Sequence, residues 1–240
     1  MKIIIEDKEV RRGGKKMQVD QFCRVIAAET VTGMRNEPIP DNVRWVCEKG
    51  DRAVYIVELQ PELRTILWGG AENSGLPYTV ATPYVVLKVP FIGNALYYPS
   101  VFYRNEPLQS INDRLYHSNL KNVAYCGEPL INYLCLDGLR HSTDWKREQT
   151  INELVNHLWS GEFNDEMSSH QFGREGDDRL QTIQGWQKAS KEDPEFVLGV
   201  NWKPTTATVK TAIEAFFDQY CSGTVPQGSN QLGSLLLAAG

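Results

Sequence analysis

The sequence lacks the cysteine and histidine patterns that mark disulfide-rich or metal-binding proteins. Its five cysteines are odd in number and contain no C-x-x-C pair: Cys23, Cys47, Cys126, Cys135 and Cys221. This spacing argues against a disulfide framework or a zinc ribbon. The four histidines form no H-E-x-x-H motif and no i, i+4 pair. We therefore predict reduced thiols, no bound metal and no organic cofactor.

Nucleotide and nucleic-acid signatures are also missing. No Walker A motif and no G-x-G-x-x-G after a predicted strand is present, and G-x-S-x-G is absent as well. The net charge of -5 gives no general attraction toward phosphate backbones or anionic lipid. Nucleic acid is accordingly not an expected partner.

Long apolar runs are absent too. The longest, such as residues 83–90, fall far short of the roughly 20 residues needed to cross a bilayer. The amino terminus has only Ile3, Ile4 and Ile5 before charged residues return, which is not a signal-peptide core. We expect a cytoplasmic protein without a membrane partner.

Short apolar or alternating runs separated by turn residues are present between residues 43 and 104. They cover residues 43–47, 53–59, 64–68, 84–90, 95–98 and 101–103, with a longer break at 69–75. Close spacing with tight turns favours an antiparallel meander over parallel strands, which need long crossovers. We predict an α+β fold in which helices cover one face of this sheet.

Helical periodicity appears mainly in the second half of the chain. Apolar residues recur at i, i+3, i+4 and i+7 over 148–159, and a second stripe covers 209–220, with Thr205 or Thr206 as its predicted cap. Further predicted elements are a short helix at 19–26, a helix at 180–186 and an extended segment at 196–202. The tail after Cys221 is rich in Gly, Ser and Gln and is predicted to be flexible.

Residues 105–145 show no lasting periodicity but carry the residues with the most chemical potential. An irregular stretch of this length in a compact domain is usually functional. It contains Tyr116-His117-Ser118-Asn119, then Asn122-Val123, then Cys135-Leu136-Asp137, with Trp145 ten positions beyond the cysteine. Without further context Cys135 is more typical of a small core residue than of a nucleophile, since its neighbours are apolar.

This run resembles the active-site segment of ubiquitin-conjugating (UBC) enzymes. In that family a Tyr- and Pro-bearing strand region precedes His-Pro-Asn, then Cys-Leu-Asp, then a Trp before an amphipathic helix. The resemblance is closer to divergent bacterial members such as PRTRC system protein B, in which motifs like Pro40-Asp41-Asn42-Val43, Leu115-Tyr116-His117 and Asn122-Val123 recur.

The resemblance implies a UBC-like meander with a long active-site loop and extra C-terminal helices. It divides the chain into an N-terminal extension (1–38), a UBC-like core (39–167), a C-terminal helical extension (168–221) and a flexible tail (222–240). Cys135 would accept a ubiquitin-like protein as a thioester from an activating enzyme and pass it to an amine, with a protein substrate as acceptor. A thiol suits both steps, because its thiolate is a strong nucleophile and a good leaving group.

Four further residues receive roles through the resemblance. Asn119 or Asn122 would donate a hydrogen bond to the tetrahedral oxyanion. Two departures leave both asparagines open: Ser118 replaces the family's proline, and the gap from Asn119 to Cys135 is longer than usual. His117 would hold the loop or act as a base, and Asp137 would orient a lysine or bond to local backbone.

Other readings of the same residues remain open. Trp145 is expected to pack in the core, and Cys126 is a rival nucleophile. An inactive UBC-like binding subunit would keep the fold without the chemistry. A cysteine hydrolase acting on modifier conjugates would pair Cys135 with His117 or His141, which must then lie within hydrogen-bond reach of the thiol.

Overall fold

A computed structural model describes residues 4–6, 9–12, 15–18, 40–70, 73–124, 132–140, 142, 144–164 and 177–221. Of residues 4–18, and of 70, 73, 74, 220 and 221, the backbone alone is described. The helix predicted at 19–26, Cys23, Cys126, His141 and the tail 222–240 lie outside the described residues.

The described chain is α+β, as predicted, with mostly antiparallel sheets. Its strands are β1 (Ile4–Glu6), β2 (Glu9–Arg12), β3 (Lys15–Gln18), β4 (Val43–Lys49), β5 (Arg52–Leu59), β6 (Glu62–Gly70), β7 (Asn73–Thr82), β8 (Tyr84–Ile92), β9 (Ala95–Leu96), β10 (Ser100–Arg104), β11 (Arg114–His117), β12 (Val123–Ala124), β13 (Tyr133–Leu134), β14 (Glu162–Phe163) and β15 (Pro204–Thr208). Its helices are α1 (Arg147–Ser160), α2 (Ile183–Glu192) and α3 (Val209–Cys221), with 3₁₀ helices at Asp178–Leu180 and Phe196–Gly199.

The strands form three sheets. β1, β2 and β3 make a small antiparallel sheet, and the main sheet has the order β12-β13-β10-β8-β5-β4, with β11 and β15 continuing from β10 and β9 pairing with β8. The neighbours β4, β5, β8 and β10 are all antiparallel. This run confirms the antiparallel pairing predicted from the spacing of the apolar segments.

A hairpin, here called the arm, is inserted between β5 and β8. It consists of β6 and β7, and β14 joins β6 on its other side as a parallel partner. The break predicted at 69–75 is wrong, because β6 runs to Gly70 and β7 begins at Asn73. Pro77 obscured the strand signal, yet it fits here because β7 lies at the edge of the described sheet.

Helices cover both faces of the main sheet, so the prediction of one covered face is wrong. α1 and α2 pack with one core cluster, which includes Tyr55 and Leu87, whereas α3 packs with a second that includes Ile56 and Val86. Alternating residues of the same strands therefore face different helices. The burial of both faces could be predicted from the sequence, since β5 is a nearly continuous apolar run. Seven of its eight residues are buried.

The start of α1 is tied to the main sheet by one arginine. Arg147 is 5% exposed and donates to Glu48 Oε1 at 2.9 Å, to the Gly93 carbonyl at 2.7 Å and to the Asp51 carbonyl at 3.2 Å. These partners lie at the β4–β5 and β8–β9 turns. The charge is thereby paired and hydrogen-bonded, as a buried charge must be, and it fixes where α1 enters the fold.

The three predicted helices are present, but two details of the C-terminal part differ. The extended segment predicted at 196–202 is a 3₁₀ helix over Phe196–Gly199, a distinction that a short apolar run does not reveal by periodicity. The α3 cap is Thr208, the residue directly before the helix, whose hydroxyl accepts from the Thr211 amide at 3.2 Å, whereas Thr205 and Thr206 lie earlier in β15. None of the described helices is long and apolar enough to span a bilayer.

Candidate functional site

Cys135 lies immediately after β13, which is the neighbour of the edge strand β12 in the main sheet. This two-residue strand pairs with β10 through Tyr133 and with β12 through both of its residues. The Leu134 amide adds a bond to the Pro99 carbonyl at 2.8 Å. The irregular segment between β10 and α1 thus returns to the sheet at the position that carries the thiol.

The thiol points away from the core. Leu134 is 3% exposed and belongs to the first core cluster, and Leu136 packs against the same cluster. Side chains alternate along an extended chain, so Cys135, between these two leucines, faces the other way. Cys135 is half-buried, forms no disulfide with another described residue and belongs to neither core cluster.

Two hydrogen bonds hold the backbone of Cys135. Its amide donates to the Asn122 carbonyl at 2.8 Å, and its carbonyl lies 3.3 Å from Nε2 of His157, which must be the donor because a carbonyl oxygen only accepts. His157 belongs to α1, 22 residues further along the chain. Both backbone groups of the cysteine are therefore fixed by residues distant in sequence.

The side chain of Asn122 is occupied by the segment that follows α1. Its Nδ2 donates to the Glu162 carbonyl, and its Oδ1 accepts from the Asn164 amide at 3.1 Å. Its backbone has φ +61°, a left-handed conformation that Asn tolerates better than most residues. Asn122 thus links the Cys135 amide to β14.

Asn119 differs from Asn122 in having an unused donor. It is 8% exposed, and its Nδ2 has no hydrogen-bond partner among the described residues. A buried amide nitrogen without a partner costs free energy, so it needs an explanation such as a ligand that bonds to it. Of the two asparagines left open by the sequence, Asn119 is the one whose side-chain donor has no partner among the described residues.

His117 is hydrogen-bonded through both its ring and its backbone amide. Its Nδ1 lies 2.7 Å from Oδ1 of Asn132, and its backbone amide donates to the Lys203 carbonyl at 2.9 Å. Asn132 is 3% exposed, has φ +53° and gives its carbonyl to the Val101 amide at 2.9 Å. The bond therefore joins the end of β11 to the residue before β13.

Asp137 and Trp145 follow Cys135 along the chain, and both lie outside the two core clusters. Asp137 is exposed in the turn from Leu136 to Leu139, whose closing bond is 2.9 Å and whose third residue, Gly138, has φ +79°. Trp145 is half-buried and belongs to neither core cluster, so its predicted packing in the core is wrong. Beyond Leu136, the described chain on the carboxyl-terminal side of the thiol is therefore turn and loop up to α1.

Cys47 is the other described free cysteine and has a different environment. It lies in β4, packs against the second core cluster, and burial raises the pKa of its thiol. A raised pKa lowers the fraction of reactive thiolate near neutral pH. Within the described residues, no group of three or more His, Cys, Asp and Glu side chains is arranged to hold a metal ion.

Sequence reasoning missed His157 and Asn132. A weak signal for His157 exists, since it follows Leu154 at i+3 and borders the buried face of α1. Asn132 carries no such signal, because its bond to His117 spans 15 residues of irregular chain.

Comparison with known proteins identifies no relative: no family model, no curated protein and no solved structure matches this chain.

Proposed function

We propose that this protein accepts a ubiquitin-like protein as a thioester on Cys135 and transfers it to an amine, as ubiquitin-conjugating enzymes do. The observation that carries this proposal is the placement of the thiol: Cys135 faces away from the core while two distant residues fix its backbone. A structural cysteine, such as Cys47, packs against the core instead. The proposed partners are a ubiquitin-like modifier, an activating enzyme and an acceptor protein.

The order of elements supports the finer, UBC-like description of the fold. An antiparallel run of β4, β5, β8 and β10 precedes the irregular segment with Cys135, and α1 follows it. The arm and the covering of the sheet by α3 are additions to a simple meander. The UBC-like assignment therefore concerns the four central strands, the segment and α1.

The chemistry requires only the thiol and an activated acyl group. The Cys135 thiolate attacks the thioester carbonyl carbon of the activated modifier, a new C–S bond forms, and the activating enzyme's sulfur leaves as a thiolate. A lysine amine then attacks the same carbon, a C–N bond forms, and the Cys135 thiolate departs while the amine proton passes to solvent. ATP is consumed by the activating enzyme. Neither transfer step changes an oxidation state, and therefore no electron donor or acceptor is needed.

Asn119 is the proposed oxyanion donor. Attack by the amine places negative charge on the carbonyl oxygen, and a neutral amide directed at that oxygen stabilises the transition state. The unpartnered Nδ2 of Asn119 supports this role, whereas the Asn122 side chain already holds β14. Exposed Asp137, two residues beyond the cysteine, is the proposed group that orients the incoming lysine.

The test is a charging assay with the cognate modifier, activating enzyme and ATP, analysed on gels with and without reductant. Wild type should form a reductant-sensitive adduct, and Cys135→Ser should form a reductant-resistant, alkali-labile ester. The matched control is Cys47→Ser, which removes the other described thiol and should charge as wild type does. An adduct that persists unchanged in Cys135→Ser contradicts the proposal, and no adduct at all would favour the inactive binding subunit.

A further inference from the structure

His157 approaches the reactive cysteine from α1. Its ring is half-buried, and Nε2 lies 3.3 Å from the carbonyl oxygen of Cys135. No role for this histidine follows from the motifs around the cysteine, which lies 22 residues earlier. His157 lies at the border of the buried face of α1, beside Leu154, and its ring reaches the segment that carries the thiol.

Residues at and after the end of α1 contribute to the hydrogen bonds of both the amide and the carbonyl of Cys135. His157 donates to the carbonyl, and the amide is held by Asn122, whose side chain is in turn bonded to Glu162 and Asn164. Residues 157–164 thus contact the carbonyl of the cysteine directly and its amide only through Asn122. Leu134 and Leu136, on either side of the cysteine, pack with the first core cluster and add to this restraint of the backbone.

We propose that His157 is a positioning residue for the Cys135 thiol, acting by donation from Nε2 to the cysteine carbonyl. This inference rests on the proposed function, because it matters only where Cys135 reacts. The donor is an Nε2–H group, which both the neutral Nε2–H tautomer and the imidazolium carry. Proton transfer is not part of the role, since a base at this nitrogen would need the lone pair that this contact excludes.

Three substitutions separate donation from size and from acid–base chemistry. In His157→Gln the side-chain amide nitrogen replaces Nε2 as a donor. In His157→Asn the shorter side chain places its amide nearer the position of Nδ1, and His157→Ala removes the donor altogether. Exposed Asn156, the preceding residue of the same helix, supplies the control Asn156→Ala.

Two readouts are measured on folded full-length protein, with thermal unfolding recorded for every variant. The first is acyl transfer to Cys135 from a glycylglycine thioester of mercaptoethanesulfonate, followed by mass spectrometry. The second is the rate at which iodoacetamide alkylates Cys135, read from its own peptide, with Cys47 as an internal reference whose raised pKa makes it slow. Alkylation needs no acyl donor, so it is independent of the proposed function.

Acyl transfer is expected to fall about 3- to 10-fold in His157→Ala and His157→Asn, the order of magnitude of one ordinary hydrogen bond. His157→Gln should retain the wild-type rate and the wild-type pH profile. Alkylation of Cys135 should rise about 2- to 3-fold in the Ala and Asn variants, because a loosened segment exposes the half-buried thiol. It should stay at the wild-type rate in the Gln and Asn156→Ala variants.

The other outcomes overturn either the positioning role or the proposed function, and they differ from one another. Unchanged acylation and alkylation in all variants would remove the positioning role and leave the proposed function intact. A Gln variant as impaired as Ala would indicate acid–base chemistry, as a cysteine hydrolase requires. If wild type accepts no acyl group while alkylation still follows the donor pattern, the proposed function fails and the positioning role stands.

Discussion

The centre of the main sheet and the segment around Cys135 are held by different kinds of interaction. In β5 and β8 nearly every residue is buried against one of two core clusters. Around Cys135 the strands are only two residues long, and single side-chain bonds from Asn122, His117 and His157 connect them to the rest. Burial therefore determines stability in the sheet, whereas individual donors determine geometry at the thiol.

Removing a core side chain should give the largest effect and leave the chemistry intact in the molecules that stay folded. Trp186 is fully buried, donates to the Ala81 carbonyl at 2.9 Å and meets Trp68 edge to face. We expect Trp186→Ala to lower the free energy of unfolding by about 3–5 kcal/mol in urea denaturation. Lys188→Ala, on the exposed side of α2, should change it by less than about 0.5 kcal/mol.

Removing the Asn119 side chain should impair the chemistry and leave the stability of the fold nearly unchanged, the reverse of the Trp186 substitution. We expect Asn119→Ala to slow discharge of the Cys135 thioester to lysine about 10²- to 10³-fold, as the loss of an oxyanion donor does. Its free energy of unfolding should change by less than about 1 kcal/mol, because the deleted Nδ2 has no partner among the described residues. Exposed Asn112 in the same segment gives the control Asn112→Ala. Lost stability with normal discharge would make Asn119 a structural residue.

Asn122 should affect stability and geometry together. Asn122→Gly keeps the left-handed backbone but removes the bonds to Glu162 and Asn164, and we expect a loss of about 1–3 kcal/mol in chemical denaturation. Asn122→Ala should lose about 1–2 kcal/mol more, because Ala disfavours φ +61°. Equal stability of the Gly variant and wild type would show that the side chain does not hold β14.

The turn after the cysteine should give the smallest effect. Gly138 has φ +79° and open space at its Cβ position, so Gly138→Ala should cost about 1 kcal/mol through backbone conformation alone. Gly199 offers the same open space without a positive φ, and Gly199→Ala should be neutral or slightly stabilising in the same thermal scans. Equal losses at both glycines would point to a steric cause instead.

The contrast between the two regions also explains what the sequence could predict. Strands β4, β5, β8 and β10 and the three helices follow from apolar periodicity, which acts over neighbouring residues. β7 was missed because Pro77 and Gly75 weaken a strand pattern that edge position and pairing with β6 nonetheless permit. The prediction of one covered face did not include α3 on the other face of the sheet. The continuous apolar run of β5 indicates that both faces of this strand are buried.

At the candidate site, the sequence could nominate residues but could not predict their contacts. Cys135, Asn119, Asn122 and His117 were named from their order along the chain. Which asparagine keeps a spare donor depends on Asn122 meeting β14, a contact across 40 residues. Such pairings arise only once the helix and sheet have packed.

The link from β14 to the arm also has a consequence for local unfolding. β14 pairs with Leu67 and Trp68 of β6, and Lys121, just before Asn122, donates to the Gly69 carbonyl at 2.7 Å. The amide of Cys135 is therefore protected by a hydrogen-bond chain that ends in the arm. In hydrogen–deuterium exchange, the Cys135 amide and the β6–β14 ladder should open as one cooperative unit, while the interior strand β5 exchanges more slowly.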